Sequence, residues 1–142
     1  MSKANGFEND VVALTFNKSL ASHLGTLATT GNTDLYVSLH TGDPGESGNQ
    51  TTSECAYGAY ARVAVVRTSS GWTVSGNQVQ NTAVITFLEF TSGPEVVSHF
   101  AIGTASSSTG QILYKGALTA SRTVSSGITL QFPATSITIT ED

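Results

Sequence analysis

The chain has 142 residues, only 11% of them charged, and a formal net charge of −4 at pH 7. Ser and Thr, 39 residues together, supply most of the polar surface. This balance predicts a folded protein rich in strands and turns, because disorder requires low hydrophobicity together with high net charge. The six basic residues are scattered along the chain, so we expect no nucleic-acid partner.

Cysteine content and hydropathy further narrow the class of protein that the chain can belong to. Cys55 is the only cysteine, which excludes an intrachain disulfide and argues against a cysteine-based metal site. The N-terminus lacks the apolar stretch of a signal peptide, and no run approaches the ~18 apolar residues of a membrane span. We therefore expect synthesis in a reducing cytoplasm and no membrane partner.

The N-terminal segment differs in pattern from the rest. Phe16, Leu20 and Leu24 recur at intervals of four, which predicts a helix over about 10–24 that ends at Gly25. The β-branched and aromatic residues at 11, 12, 15 and 16 favour a rival strand over 11–16. We interpret 1–33 as an N-terminal arm and 34–142 as a β domain.

Three segments alternate apolar and polar residues, namely 35–40, 128–132 and 137–140. Successive side chains of a strand point to opposite faces, so Leu35, Val37 and Leu39 are predicted to face a core. The same argument assigns these further residues to the core: Ile128, Leu130, Phe132, Ile137 and Ile139. The opposite face, which carries Tyr36, Ser38 and His40, is predicted to be wet.

Other strands are predicted over 59–67, 83–90, 97–103 and 111–118. Gly76-Asn77 predicts a two-residue hairpin turn that places Val74 opposite Val79, with Trp72 on the same face. The fold class predicted is all-β: an antiparallel β-sandwich of about eight strands with one N-terminal helix. A jelly roll is the favoured version, and other Greek-key sandwiches fit the pattern equally well.

The long loop over 41–54 has no apolar side chain and is a candidate for function. A metal or acid–base site could be drawn from His40, Asp43, Glu46 and Glu54. However, His40 is predicted to be exposed, and Asp43 begins an ordinary Asp-Pro-Gly turn. We therefore expect no metal.

Catalysis has little support in the sequence. Ser98 and His99 are adjacent in a predicted strand, so they should point to opposite faces and not pair, and no Gly-x-Ser-x-Gly elbow is present. The glycines at 103, 110 and 116 do not form a phosphate loop. We expect no catalytic residue, no cofactor and no enzymatic activity.

Aromatic and basic side chains offer a binding surface instead. Tyrosines and Trp72 could line a protein interface or a sugar site, although packing in the core is the simpler interpretation. Arg62 and Arg67 have no acidic neighbour in sequence, so they are interpreted as solvated strand ends or as contacts to an acidic neighbouring subunit.

Four segments carry a resemblance to a family of small tailed-phage structural proteins: 34–46 (DLYVSLHTGDPGE), 60–65 (YARVAV), 112–118 (ILYKGAL) and 137–142 (ITITED). The resemblance covers the chain from about residue 34. Relatives are often labelled phage structural or tail-fibre proteins, and similar proteins serve as capsid cement with jelly-roll folds. The resemblance transfers no active-site residue.

The resemblance implies a capsid cement protein, made in the host bacterial cytoplasm and bound to the outer surface of the virion head. Its partners would be the major capsid protein and further copies of itself, as a dimer or trimer. The alternative is a tail-fibre or receptor-binding module that recognises host surface glycans. The N-terminal segment and the loop over 41–58 are the candidate contacts. The predicted partner-binding residues are Phe7, Val11, Phe16, Tyr36, Asp43, Tyr57 and Arg62. The arm's apolar face has a simpler alternative, which is to pack on the chain's own sandwich.

Overall fold

The computed structural model describes residues 5–17 and 32–141, without the side chains of residues 5–8 and 10. Within these residues it contains one helix and nine strands. The elements are α1 (Asn5–Asn17), β1 (Asp34–His40), β2 (Val63–Val66), β3 (Trp72–Ser75), β4 (Gln78–Asn81), β5 (Ile85–Thr86), β6 (Glu95–Gly103), β7 (Ile112–Val124), β8 (Gln131–Phe132) and β9 (Thr138–Thr140).

The strands form three sheets, with the orders β2-β1-β6-β7, β3-β4-β9 and β5-β8. The pairs β1–β6, β6–β7, β3–β4 and β4–β9 are antiparallel. The predicted class, all-β with antiparallel sheets of the sandwich type and one helix, is confirmed. The jelly-roll connectivity stays a prediction.

The chain clusters into two compact units. Of the described residues, the first unit contains 5–17, 32–34, 65–85 and 132–141, and the second contains 35–64 and 86–131. The predicted division into an arm and a β domain at residue 34 stays a prediction.

The first unit is built around the predicted hairpin. Val74 pairs with Val79 across the turn, as the sequence predicts, and Gly76 has a φ of 62°. A positive φ at the first turn position is easy for glycine and suits the twist of paired strands. Asn81 is fully buried at the end of β4, where its amide donates to the carbonyls of Ala83 and Pro133 and accepts from Ile137 N–H.

Helix α1 begins five residues before the predicted start and includes 11–16, so the rival strand is wrong. Residues 18–24 of the predicted helix lie outside the described residues. Val12 and Phe16, four residues apart, are fully buried, and α1 packs against β3 and β4. This packing explains why β-branched residues do not prevent the helix, since tertiary contacts outweigh intrinsic propensity.

The second unit is built around β1, which is buried on both faces. Leu35, Val37 and Leu39 are in the core as predicted, but Ser38 and His40 on the opposite face are also fully buried. The predicted wet face is therefore wrong for these two residues. The predicted core assignment is also wrong for Ile128, which is 43% exposed.

Candidate interaction surface

The Arg62 guanidinium joins two loops of the second unit. Its Nε and Nη2 donate to the two carboxylate oxygens of Glu54 at 2.7 and 2.8 Å. Nη1 donates to the carbonyl of Ala105 at 2.9 Å, and Nη2 also donates to the carbonyl of Ser108 at 2.7 Å. The Arg62 side chain is only 3% exposed, so its interpretation as a solvated strand end is wrong. The bonded Glu54 carboxylate raises the pKa of Arg62 and holds the guanidinium charged.

Tyr60 extends this contact to β1. Its hydroxyl donates to Glu54 Oε1 at 2.8 Å and accepts from the backbone N–H of Leu39 at 3.0 Å. Burial raises the pKa of Tyr60, which keeps the phenol neutral beside the carboxylate. The backbone of β1 at Leu39 is thus hydrogen-bonded to the side chain of Tyr60, which precedes the first residue of β2 in the chain.

His40 is held in one tautomer by its two neighbours. Its Nδ1 lies 2.8 Å from the carbonyl of Thr52, which can only accept, so Nδ1 carries the proton. Nε2 then accepts from the Ser38 hydroxyl at 2.9 Å. Burial, the largest influence, lowers the pKa of His40. The predicted exposure of His40 is wrong because the loop after β1 folds back over it.

Gln50 fills the space between the two loops. Its side chain is fully buried, donates to the carbonyl of Tyr36 at 3.4 Å and accepts from the N–H of Ala105 at 2.9 Å. A Cβ atom added at Gly103 or Gly110 would collide with this amide. The close approach requires glycine at both positions, a role that their sequence context does not reveal.

We call residues 41–54 and 104–110 together the loop platform. Ser53 and Ser108, one in each loop, have φ values of 54° and 60°. Such conformations cost non-glycine residues free energy and persist where surrounding contacts determine them. The exposed side chains of the platform are mostly hydroxyls: Thr41, Ser47, Thr51, Ser53, Ser106, Ser107, Ser108 and Thr109. Chemically, this surface offers a fixed array of hydrogen-bonding groups.

Asp43 is exposed on the surface of the loop platform. Its carboxylate accepts from Gly45 N–H at 2.9 Å and forms an ion pair with Lys115 Nζ at 3.0 Å. The Gly45 hydrogen bond, followed by the Lys115 contact, lowers the pKa of Asp43. Both partners are solvent-exposed, so the pair adds little stability.

The predicted aromatic contacts lie largely inside the protein. Tyr57 stacks on Phe90 with ring centroids 3.6 Å apart, donates its hydroxyl to the carbonyl of Leu88, and is 4% exposed. Burial raises the pKa of Tyr57 to about 12. Tyr36 is half-buried and Trp72 is fully buried. The structure therefore places Tyr57 and Arg62 beneath the surface, where they support it.

The N-terminal contacts are also internal. Phe16 meets Trp72 edge-on at 4.7 Å, and Val11 is half-buried. The side chain of Phe7 lies outside the described residues. Arg67 donates to the carbonyls of Leu14 and Thr15 in the last turn of α1 and to that of Asn32. It is thus not a solvated strand end, because its guanidinium bonds helix carbonyls, and a positive charge suits the C-terminal end of a helix.

Ser98 and His99 form a hydrogen bond, Oγ to Nδ1, at 2.8 Å, so the prediction that they cannot pair is wrong. The register between β6 and β7 shifts between Val97 and His99, which breaks the strict alternation of faces.

In the part of the chain that the structure describes, no three His, Cys, Asp or Glu side chains are grouped to hold a metal ion. None of the described helices is long and apolar enough to cross a bilayer.

The fold and the loop platform define a β-rich structural module. Residues 11–140 match the model of a family described as podophage GP4 fiber I protein gp80. The chain belongs to this family, so it is a bacteriophage structural protein with a place in the virion. The match begins within α1 and thus takes in residues before 34, which the resemblance did not cover. A comparison with curated proteins found no match.

Proposed function

We propose that the protein is a structural component of a podophage fibre, in which it serves as a stable β module. The observation that carries this proposal is the match of residues 11–140 to a family named for a fibre protein. The geometry supports a structural role, since the buried side chains of Arg62, His40 and Gln50 form hydrogen bonds to the backbone of the loops and hold the loops in place.

Recognition of host glycans is less well supported by the described residues. Each aromatic side chain described there is buried or half-buried. A sugar site built on stacking would need such rings at the surface. The loop platform could still bind through hydroxyl groups, but only weakly at each contact, so many copies would be needed.

The second candidate is a capsid cement protein, which rests on the resemblance described above. In that role each copy would bind the major capsid protein across subunit joints, with an interface of about 1,600 Å² in total. Binding to the assembled shell alone would stabilise the shell by mass action. Either role is consistent with assembly of several copies, and no enzymatic activity is proposed.

The location in the particle tests the proposal directly. We expect gold-labelled antibodies against this protein to mark the tail region of intact virions, while antibodies against the major capsid protein mark the head. Label spread over the head would overturn the fibre proposal in favour of the cement role.

A second experiment, with particles that lack the protein, distinguishes the fibre role from the capsid cement role. We expect them to release DNA at the same temperature as wild-type particles while adsorbing to host cells more slowly. A lower release temperature with unchanged adsorption would contradict the fibre proposal, because reinforcement of the head is the property of a cement protein.

A further inference from the structure

A small cleft opens beside Tyr57 in the second unit. It has a volume of about 210 Å³ and is lined by Ala56, Tyr57, Ser92, Gly93, Pro94 and Glu95. Its rim is fixed at Gly93, whose φ of 130° is readily adopted only by glycine. Two backbone contacts connect its walls, from Ala56 N–H to Glu95 Oε1 at 3.1 Å and from Gly58 N–H to Ser92 Oγ at 3.2 Å.

The Glu95 carboxylate in this cleft is only half satisfied. Oε1 accepts from Ala56, whereas Oε2 has less than 1 Å² of accessible surface and no hydrogen-bond donor among the described residues. A buried carboxylate oxygen without a donor is costly, and a cationic donor relieves that cost best.

Two titratable neighbours, Cys55 and Tyr57, lie close enough to Glu95 to respond to its charge. Burial raises the pKa of Cys55 to about 12, and the nearby Glu95 charge adds to the shift. The same charge adds to the raised pKa of Tyr57. Both neighbours are thus held neutral, so neither places a second charge at the cleft.

We propose that this cleft accepts an arginine or lysine side chain of another protein of the particle. Its apolar lining at Ala56, Tyr57 and Pro94 suits the methylene stem of such a side chain, and Glu95 suits its charged end. Oε2 is inaccessible in this structure, so a cation reaches it when the carboxylate rotates about its terminal torsion, which has a broad energy profile. That rotation also moves Oε1, so binding should be detected at the Ala56 amide that donates to it. The proposal rests on the proposed function only in taking the partner to be a virion protein.

The test measures binding of a charged probe and its neutral analogue. The probe is the tripeptide acetyl-Gly-Arg-Gly-amide, and its control carries citrulline, which has the same shape without the charge. NMR spectra of the full chain are recorded during each titration. We expect the arginine peptide to shift the Ala56 and Gly58 amides saturably, and the citrulline peptide to bind at least tenfold more weakly.

Two variants make the test specific. Glu95→Gln should abolish the shifts, while Glu46→Gln, which removes the same charge from an exposed site on the loop platform, should retain them. Thermal unfolding of both variants verifies that they fold. Equal binding of the two peptides, or full binding by Glu95→Gln, would overturn the proposal.

Separate titrations with calcium chloride and with glucose complete the design. Saturable shifts of the same amides by either would overturn the proposal in favour of a metal or a sugar site. The peptide result is independent of where the protein lies in the particle. Gold label on the head with peptide binding intact would remove only the fibre role, and failed peptide binding with label on the tail would remove only this site.

Discussion

At the residue scale, the Arg62–Glu54 pair controls the loop platform because one guanidinium bonds both loops. The Arg62 and Glu54 side chains are 3% and 14% exposed, so removing either leaves the other buried with an uncompensated charge. Such losses cost about 3–5 kcal/mol. The pair is therefore the residue contact whose removal we expect to damage the second unit most.

Arg62→Ala is expected to lower the free energy of unfolding by that amount, measured by urea denaturation. Lys115→Ala is the matched control, because it breaks the exposed pair with Asp43 and should leave stability nearly unchanged. Equal losses in the free energy of unfolding for the two variants would show that the buried pair contributes no more to stability than the exposed one.

His40 predicts a pH dependence. Its pKa is lowered from 6.5 in the folded protein, mainly by burial, so the folded state favours the neutral ring. The associated stability is fully present above pH 6.5 and is lost as pH falls below that value. We expect His40→Asn to be less stable at pH 8 but to lose less further stability between pH 6.5 and pH 5. Parallel denaturation curves at these pH values provide the measurement, and an identical pH profile for both proteins would refute the role of His40.

At the scale of elements, the contact between the two loops of the platform depends on glycines, which leave room for Gln50. Gly110→Ala should cost about 1–3 kcal/mol because the new methyl group collides with Gln50. Gly42→Ala is the control, since no atom lies nearer than 3.8 Å to its added Cβ and its φ requires no glycine. We expect the control to change stability by less than about 0.5 kcal/mol. Calorimetry of the two variants would decide, and a stable Gly110→Ala protein would argue that Gln50 moves aside freely.

Helix α1 is attached through Phe16. Phe16→Ala should lower stability by about 3–5 kcal/mol and shift the fluorescence of the buried Trp72 to longer wavelength. Val11→Ala, at a half-buried position on the same helix, should produce a smaller change in both signals. Emission spectra that stay unchanged in Phe16→Ala would contradict the packing of α1 on β3.

Local pattern was sufficient for the hairpin at Gly76-Asn77 and for the apolar face of β1, because both depend on neighbours in sequence. The pattern failed for His40 and Arg62, since their burial depends on partners 8 to 46 residues away that only the folded loops bring near. Glu95 and Gln50 gave no signal at all. Their roles arise from contacts with residues 39 and 55 positions away.

At the scale of the whole molecule, the net charge of −4 governs which partners approach. We expect no retardation of double-stranded DNA in gel-shift assays at low salt, where attraction to phosphate is strongest. A basic DNA-binding protein run alongside provides the positive control. A salt-sensitive shift would contradict the prediction that nucleic acid is not a partner.

Burial of β1 on both faces also affects how fast its backbone amides exchange hydrogen with the solvent. Opening the second unit at β1 requires release of the apolar core and of the segment that covers Ser38 and His40. Backbone amides of β1 should therefore exchange with deuterium among the slowest in the protein. Three loop amides should share much of that protection, because they donate to backbone carbonyls: Thr41 to Ser53, Gln50 to Gly110 and Cys55 to Leu39. A segment without regular strands would then keep its hydrogens for as long as the sheet beside it.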